Sequence, residues 1–195
     1  TEELEELWRS ADREIETMKE GDWNLVHIYP NNSPVRRIVA LSYLLEHYSG
    51  KKLLAGVLQL VKEAPRAGGH LVLQNGLTVI GDAYWRHHFD FDIRNRTRES
   101  ALLGHSKAGE ITVNVVLPFA FAWGELTADS KITENALELY RNYPRLSENY
   151  VTYHIKKQVG LEGSSNLTAC HDQGLIHIFR NYCCEGRCGR CPLAV

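Results

Sequence analysis

Apolar residues recur three and four positions apart through most of this chain, and prolines and glycines cut the recurrence into short lengths. That spacing puts the apolar side chains on one face of a helix, so the chain is expected to bury a set of short amphipathic helices against one another. Val35, Ile38, Val39, Ser42, Leu45 and Tyr48 trace one such stripe. Pro34 suits the first turn of that helix, where a missing N–H costs nothing, and Gly50 ends it. Residues 53–61 read as a second helix, closed by Pro65 and the pair Gly68-Gly69. Residues 132–140 read as another, Pro144 interrupts, residues 148–158 resume, and residues 160–165 form a loop. A last helix is expected over residues 170–182, with Leu175, Ile178 and Phe179 on one face.

Three stretches need separate treatment. Leu4, Leu7, Trp8, Ala11, Ile15 and Met18 give an acidic amphipathic helix ending near Gly21, followed by a short extended piece over residues 24–29. Within residues 71–80, two apolar, partly β-branched runs flank Asn75-Gly76, a dipeptide suited to the left-handed positions of a type I′ turn, so a β-hairpin is expected there. Over residues 106–124, Ile111, Val115, Phe119 and Trp123 repeat every four positions and predict a buried helix. Pro118 cannot donate to the carbonyl of Asn114, so a kink is expected, with a substitute donor near that carbonyl.

With 195 residues, 44% of them hydrophobic, the chain can bury a core without disulfide or metal staples, and it is read as a single helical domain over residues 1–195. Lys and Arg number 22 against 24 Asp and Glu, a balance unlike that of a generally basic nucleic-acid protein but compatible with local patches. No apolar run approaches the ~18 residues of a membrane span. The first twenty residues read as acidic and amphipathic rather than as a leader, so a cytoplasmic protein without membrane partners is expected.

Four of the five cysteines fall within nine residues. Cys183, Cys188 and Cys191 share one short loop with Gly186 and Gly189, and the Cys-x-x-Cys spacing lets two sulfurs turn toward one ion. Cys184 can replace Cys183 in that set, since adjacent side chains diverge. Such clustering fits metal ligation better than a disulfide framework, and the four are taken as candidate ligands. Structural zinc stands ahead of an iron–sulfur cluster, which needs four cysteines. A fourth zinc ligand is not identifiable from spacing, although His87, His88 or His171 could arrive through folding. Cys170 is a poor candidate, standing roughly 20 Å back along a helix.

Two other constellations carry chemistry. Arg36, Arg37, Arg94, Arg96 and Arg98 could form a phosphate-contacting surface, each offering a planar fork of donors, with Arg180, Arg187 and Arg190 near the tail. Ordinary solvated charge is the competing explanation. His87, His88, Asp90 and Asp92 could supply an acid–base set or metal ligands, or merely a polar rim around Tyr84, Trp85 and Phe89. Walker, Rossmann, nucleophile-elbow and His-Glu-x-x-His patterns are absent from the sequence.

Several further segments stand out together: Pro30-Asn31-Asn32-Ser33-Pro34-Val35-Arg36-Arg37-Ile38, Tyr84-Trp85 with His87-His88, Leu103-Gly104, and Asn114-Val115-Val116-Leu117-Pro118-Phe119. Gln173-Gly174-Leu175-Ile176-His177, Tyr182-Cys183 and Cys188-Gly189-Arg190-Cys191-Pro192 complete the set. In this order the segments resemble a family of uncharacterised bacterial proteins, DUF2851. The resemblance implies that this chain corresponds to the C-terminal portion of longer proteins, whose preceding region could hold a catalytic centre. It implies no activity or substrate. The tail alone is similar to the iron–sulfur loop of endonuclease III-class DNA glycosylases, but its first gap is four residues rather than six and no fourth cysteine follows.

The expected fold is therefore mainly α, a helical globular domain with one small β-hairpin and a C-terminal cysteine knuckle. The expected function is a non-catalytic binding or structural module with a structural metal site, nucleic acid ranking first among partners. The alternative is a nucleic-acid-processing enzyme, with its catalytic residues in a preceding region or around His87, His88, Asp90 and Asp92.

Overall fold

Ser33 starts the first long helix by capping it, its hydroxyl accepting from the backbone N–H of Arg36 at 3.2 Å, while Pro34 fills the first helical position. The computed structural model describes residues 32–91, 93–95, 99–164 and 166–193, together with Glu6, Ser10 and residues 19–22. In chain order the elements are α1 (Pro34–His47), α2 (Leu53–Glu63), α3 (Gly69–Leu77), a single turn α4 (Ala83–Arg86), and strands β1 (His88–Asp90) and β2 (Ile93–Arg94). After these come α5 (His105–Ile111), a π-helical segment (Thr112–Val116), α6 (Leu117–Thr127), α7 (Ser130–Asn142), α8 (Tyr150–Gln158) and α9 (Ala169–Ile178). A second π-helical segment (Phe179–Cys183) and a 3₁₀ turn (Cys188–Arg190) finish the described chain. The helix expected over residues 4–18 falls, apart from Glu6 and Ser10, outside the described residues, as does the extended piece over 24–29.

The main core gathers Leu58 and Val61 of α2, Leu73 and Leu77 of α3, Val113, Val116, Leu117 and Ala120 around the first π-helical segment, and Ile132, Ala136 and Leu139 of α7. Helices α6 and α7 form a tight antiparallel pair. Ala128 takes a left-handed conformation between them, and Asp129 caps α7 by accepting from the N–H of Ile132 at 3.3 Å. Gly124 allows this approach, because a Cβ there would lie 2.8 Å from the backbone nitrogen of Thr133. A smaller cluster of Ala40, Val79, Trp85 and Leu102 packs under α1.

The mainly helical fold with one small antiparallel sheet agrees with the sequence, but the sheet lies elsewhere. Residues 71–80, expected to be a hairpin, are mostly helix: Gly69, Leu73 and Leu77 recur every four positions and are the buried residues of α3. Gly76 serves close packing instead of a turn, its carbonyl accepting from the Tyr48 hydroxyl at 2.8 Å. The observed hairpin pairs His88 with Arg94 and Asp90 with Ile93. A separate antiparallel bridge joins Val79 to Leu103.

Two helical faces also differ from expectation. In α1 the buried residues are Arg36 and Ala40, whereas Ile38 and Leu45 of the apolar stripe are exposed. Around Pro118 the buried side chains include Val113, Val116, Leu117 and Ala120, while Val115 and Phe119 face outward. The helix there is present, and the strain of the proline is met by a widened turn: the N–H of Leu117 donates to the carbonyl of Thr112, five residues back. Pro118 then sits in the first turn of α6.

Candidate functional site

Arg36 enters the small core from α1 and is fully buried. Its guanidinium donates to the carbonyls of Trp85 at 3.0 Å, Ala101 at 3.0 Å, Ser100 at 3.3 Å and His88, and to the Ser100 hydroxyl at 3.1 Å. Phe89 lies under the cation, with its ring centroid 6.0 Å away. Burial pulls the guanidinium below its ordinary pKa, yet an arginine stays charged at any physiological pH. This side chain ties α4, β1 and the segment at 100–101 together. It is therefore withdrawn from the arginine surface expected from the sequence, because both terminal nitrogens of the guanidinium bond inside the protein and its Nε is buried without a partner.

Arg37 and Arg94 remain exposed and make no ion pair among the described residues. Arg94 stands on β2 opposite His88, and Arg96 and Arg98 lie outside the described residues. The histidine–aspartate set is engaged locally. His88 stacks on Tyr84 with ring centroids 3.9 Å apart, and its Nδ1 contacts the Tyr84 carbonyl at 2.8 Å. His87 Nε2 lies 3.5 Å from Glu99, and Asp90 accepts from the N–H of Phe91 at 2.7 Å. Asp92 lies outside the described residues.

The cysteine tail turns back on the last helix. Gly186 adopts a left-handed conformation in the turn, and Leu193 borders the same apolar hollow as Leu175 and Ile178. Cys183 and Cys191 are half-buried, Cys184 and Cys188 are exposed, and none forms a disulfide. Burial raises the Cys183 thiol above its ordinary pKa, and the neighbouring Cys188, Cys191 and Cys184 raise it further. The thiols thus share one electrostatic neighbourhood. Among the described residues, however, no three His, Cys, Asp or Glu side chains gather closely enough to hold a metal ion. Zinc–sulfur bonds of ~2.3 Å would require the thiols to move inward.

A second polar site was not apparent from spacing. Lys156 of α8 and Asp172 of α9 are both buried, 3% and 8% exposed at the side chain, and form an ion pair. The contact is not aligned as a hydrogen bond, leaving Lys156 Nζ and Asp172 Oδ1 without hydrogen-bond partners. Arg145 Nε lies 3.6 Å from Asp172, Glu148 lies 3.5 Å from Lys156, and Arg145 pairs with Glu148. Above Asp172 opens a hollow of about 380 Å³ between the first π-helical segment, the start of α8 and the end of α9. Asn149 and Thr152 bond reciprocally at the start of α8, fixing its edge. The only local signals were charges at core-facing helix positions: Lys156 follows Ile155 on the buried side of α8, and Asp172 precedes Leu175 by three.

A mainly helical protein with a small sheet, a fully buried arginine and a buried lysine–aspartate pair is what the fold defines. The family model described as "Protein of unknown function (DUF2851)" matches residues 4–149, and the chain belongs to that family. The match includes Arg36 and the hairpin and stops before α8, α9 and the cysteine tail. No curated protein and no solved structure matches the chain. No helix among the described residues is long and apolar enough to cross a membrane.

Proposed function

We propose that the protein is a non-catalytic binding module whose C-terminal cysteines hold a structural zinc ion. The supporting observation is that the left-handed turn at Gly186 and the 3₁₀ turn Cys188–Arg190 fold the segment carrying Cys183, Cys184, Cys188 and Cys191 back on itself. A divalent cation would draw the thiols together as they deprotonate, and binding couples to proton release. Zinc would pin the tail to α9, a structural rather than catalytic role. Elemental analysis of the purified protein is expected to find stoichiometric zinc that is lost in Cys188→Ser. A metal-free wild type, melting no differently from that variant, would remove the ion from the reading.

Nucleic acid is the partner this module would take, through Arg37 and Arg94 and the arginines beside the tail. Its support is that Arg37 and Arg94 are exposed and unneutralised among the described residues. Binding of this type weakens steeply with salt, since each contacted phosphate releases counterions. A DNA or RNA oligonucleotide whose affinity falls with salt, and falls further in Arg37→Gln and Arg94→Gln, is the expected result. The enzyme alternative draws less support, because His87, His88 and Asp90 each turn one polar atom to a different local partner, Glu99, the Tyr84 carbonyl and the Phe91 N–H.

A further inference from the structure

The hollow above Asp172 holds three carboxylates, and each has a basic partner: Glu110 pairs with Lys107, Glu148 with Arg145 and Asp172 with Lys156. Arg180 also lines it but has no ion pair or hydrogen bond among the described residues. Gln173, on the same wall, has no hydrogen-bond partner among them either. The charge left unmatched around the hollow is therefore a single positive one. Asn114 donates its amide N–H to the Glu110 carbonyl at 2.8 Å, leaving its side-chain oxygen as an acceptor.

The backbone around these groups is unusual. Asn114 sits on one π-helical segment and Arg180 on the other, so both irregular turns supply a wall of the same hollow. Single π turns cost hydrogen-bond geometry and recur at functional sites. The floor beneath is buried and ionic, with polar atoms of Lys156 and Asp172 lacking aligned hydrogen bonds. A hollow of this size lies within the range of ~300–1,000 Å³ that takes small molecules.

We propose that this hollow binds a small polar monocarboxylate, its carboxylate held by Arg180 and Gln173 and its hydroxyl or amide groups facing Asn114 and Glu148. A guanidinium fork matches a carboxylate in two parallel bonds, with the neutral amide of Gln173 adding a donor. One negative charge balances the one unmatched positive charge. A phosphate dianion would carry surplus charge against Glu110 and Glu148, and is disfavoured for that reason. Arg180 shares its π-helical segment with Cys183, but carboxylate binding here needs no metal, so titration of metal-free protein separates the two readings.

Isothermal titration of the full chain with gluconate and with N-acetylglutamine tests this, with glucose and inorganic phosphate as comparisons. At least one of the two carboxylates is expected to bind at millimolar concentration or below, while glucose, which lacks the charge, does not. Arg180→Gln should weaken that binding by about tenfold to a hundredfold, the size of a lost hydrogen bond to a charged group. The melting temperature of this variant should match wild type, because Arg180 is exposed and makes no ion pair or hydrogen bond among the described residues. Asn114→Ala should weaken binding by a smaller factor. Neither carboxylate binding, binding indifferent to Arg180→Gln, or phosphate binding as tightly as the carboxylates would each overturn the proposal.

Discussion

Arg36 and Lys156 are both cations removed from water, but the protein stabilises them differently. Arg36 is surrounded by neutral acceptors, four carbonyls and one hydroxyl, drawn from segments up to 65 positions away in sequence. Lys156 faces carboxylates, and its strongest contact, with Asp172, is an ion pair without hydrogen-bond alignment. The first arrangement closes a small core. The second underlies an open polar hollow. A planar fork can bond several carbonyls at once, whereas an ammonium is a point charge that needs a counter-ion when buried. The contrast separates a cation that builds the fold from one that floors a candidate site.

Removing Arg36 should have the larger effect. Arg36→Met leaves several buried carbonyls without donors, at ~1–3 kcal/mol each before water enters, so a loss of at least about 3 kcal/mol is expected. Urea unfolding measures it, and a loss under about 1 kcal/mol would show that the carbonyls find other partners. Lys156→Met should cost less, about 2 kcal/mol, because Arg145 stays beside Asp172 to meet part of its charge. Combining Lys156→Met with Asp172→Leu should recover much of that loss, since replacing a buried pair by apolar groups is often neutral. A double variant weaker than either single would contradict this account of Lys156.

The smallest effect is a pH dependence confined to the Arg36 side of the molecule. Asp82 caps α4 and accepts from the N–H of Trp85 at 3.0 Å, and that bond is the main cause holding its carboxyl below the ordinary value. A lowered folded-state pKa contributes stability that is complete above the ordinary aspartate value of ~3.9 and is lost as pH falls through the lowered one. Asp82→Asn should therefore lower the melting temperature slightly at neutral pH, where the ionised cap contributes in full, and flatten its fall below about pH 4. An unaltered acid limb in this variant would mean that the cap contributes nothing to the Arg36 side.

The comparison also explains how much could be read beforehand. Helix ends were legible where chemistry is local: Pro34 lies in the first turn of α1, and α2 stops before Pro65. The hairpin was misplaced because Asn75-Gly76 fits a tight turn and equally a helix whose glycine admits Tyr48. Part of the apolar stripe of α1, Ile38 and Leu45, faces outward while Val35, Val39 and Tyr48 pack inward, because that helix buries an arginine and no hydrophobic pattern reports a core lined with carbonyls. The Lys107–Glu110 pair follows helical spacing, whereas the Lys156–Asp172 pair joins two helices and no spacing within either one reports it.

Amino-acid order alone was enough to establish a mainly helical chain, its principal breaks, its family and the clustering of its cysteines. These follow from periodicity, proline and glycine geometry and direct motif likeness, all of which act over a few residues. Tertiary packing alone decided which faces are buried, where the two strands pair, and that Arg36 belongs to the interior while Arg180 faces a hollow. The physical reason is that burial of a charge depends on acceptors and counter-ions delivered from distant segments, and a helical repeat specifies none of them.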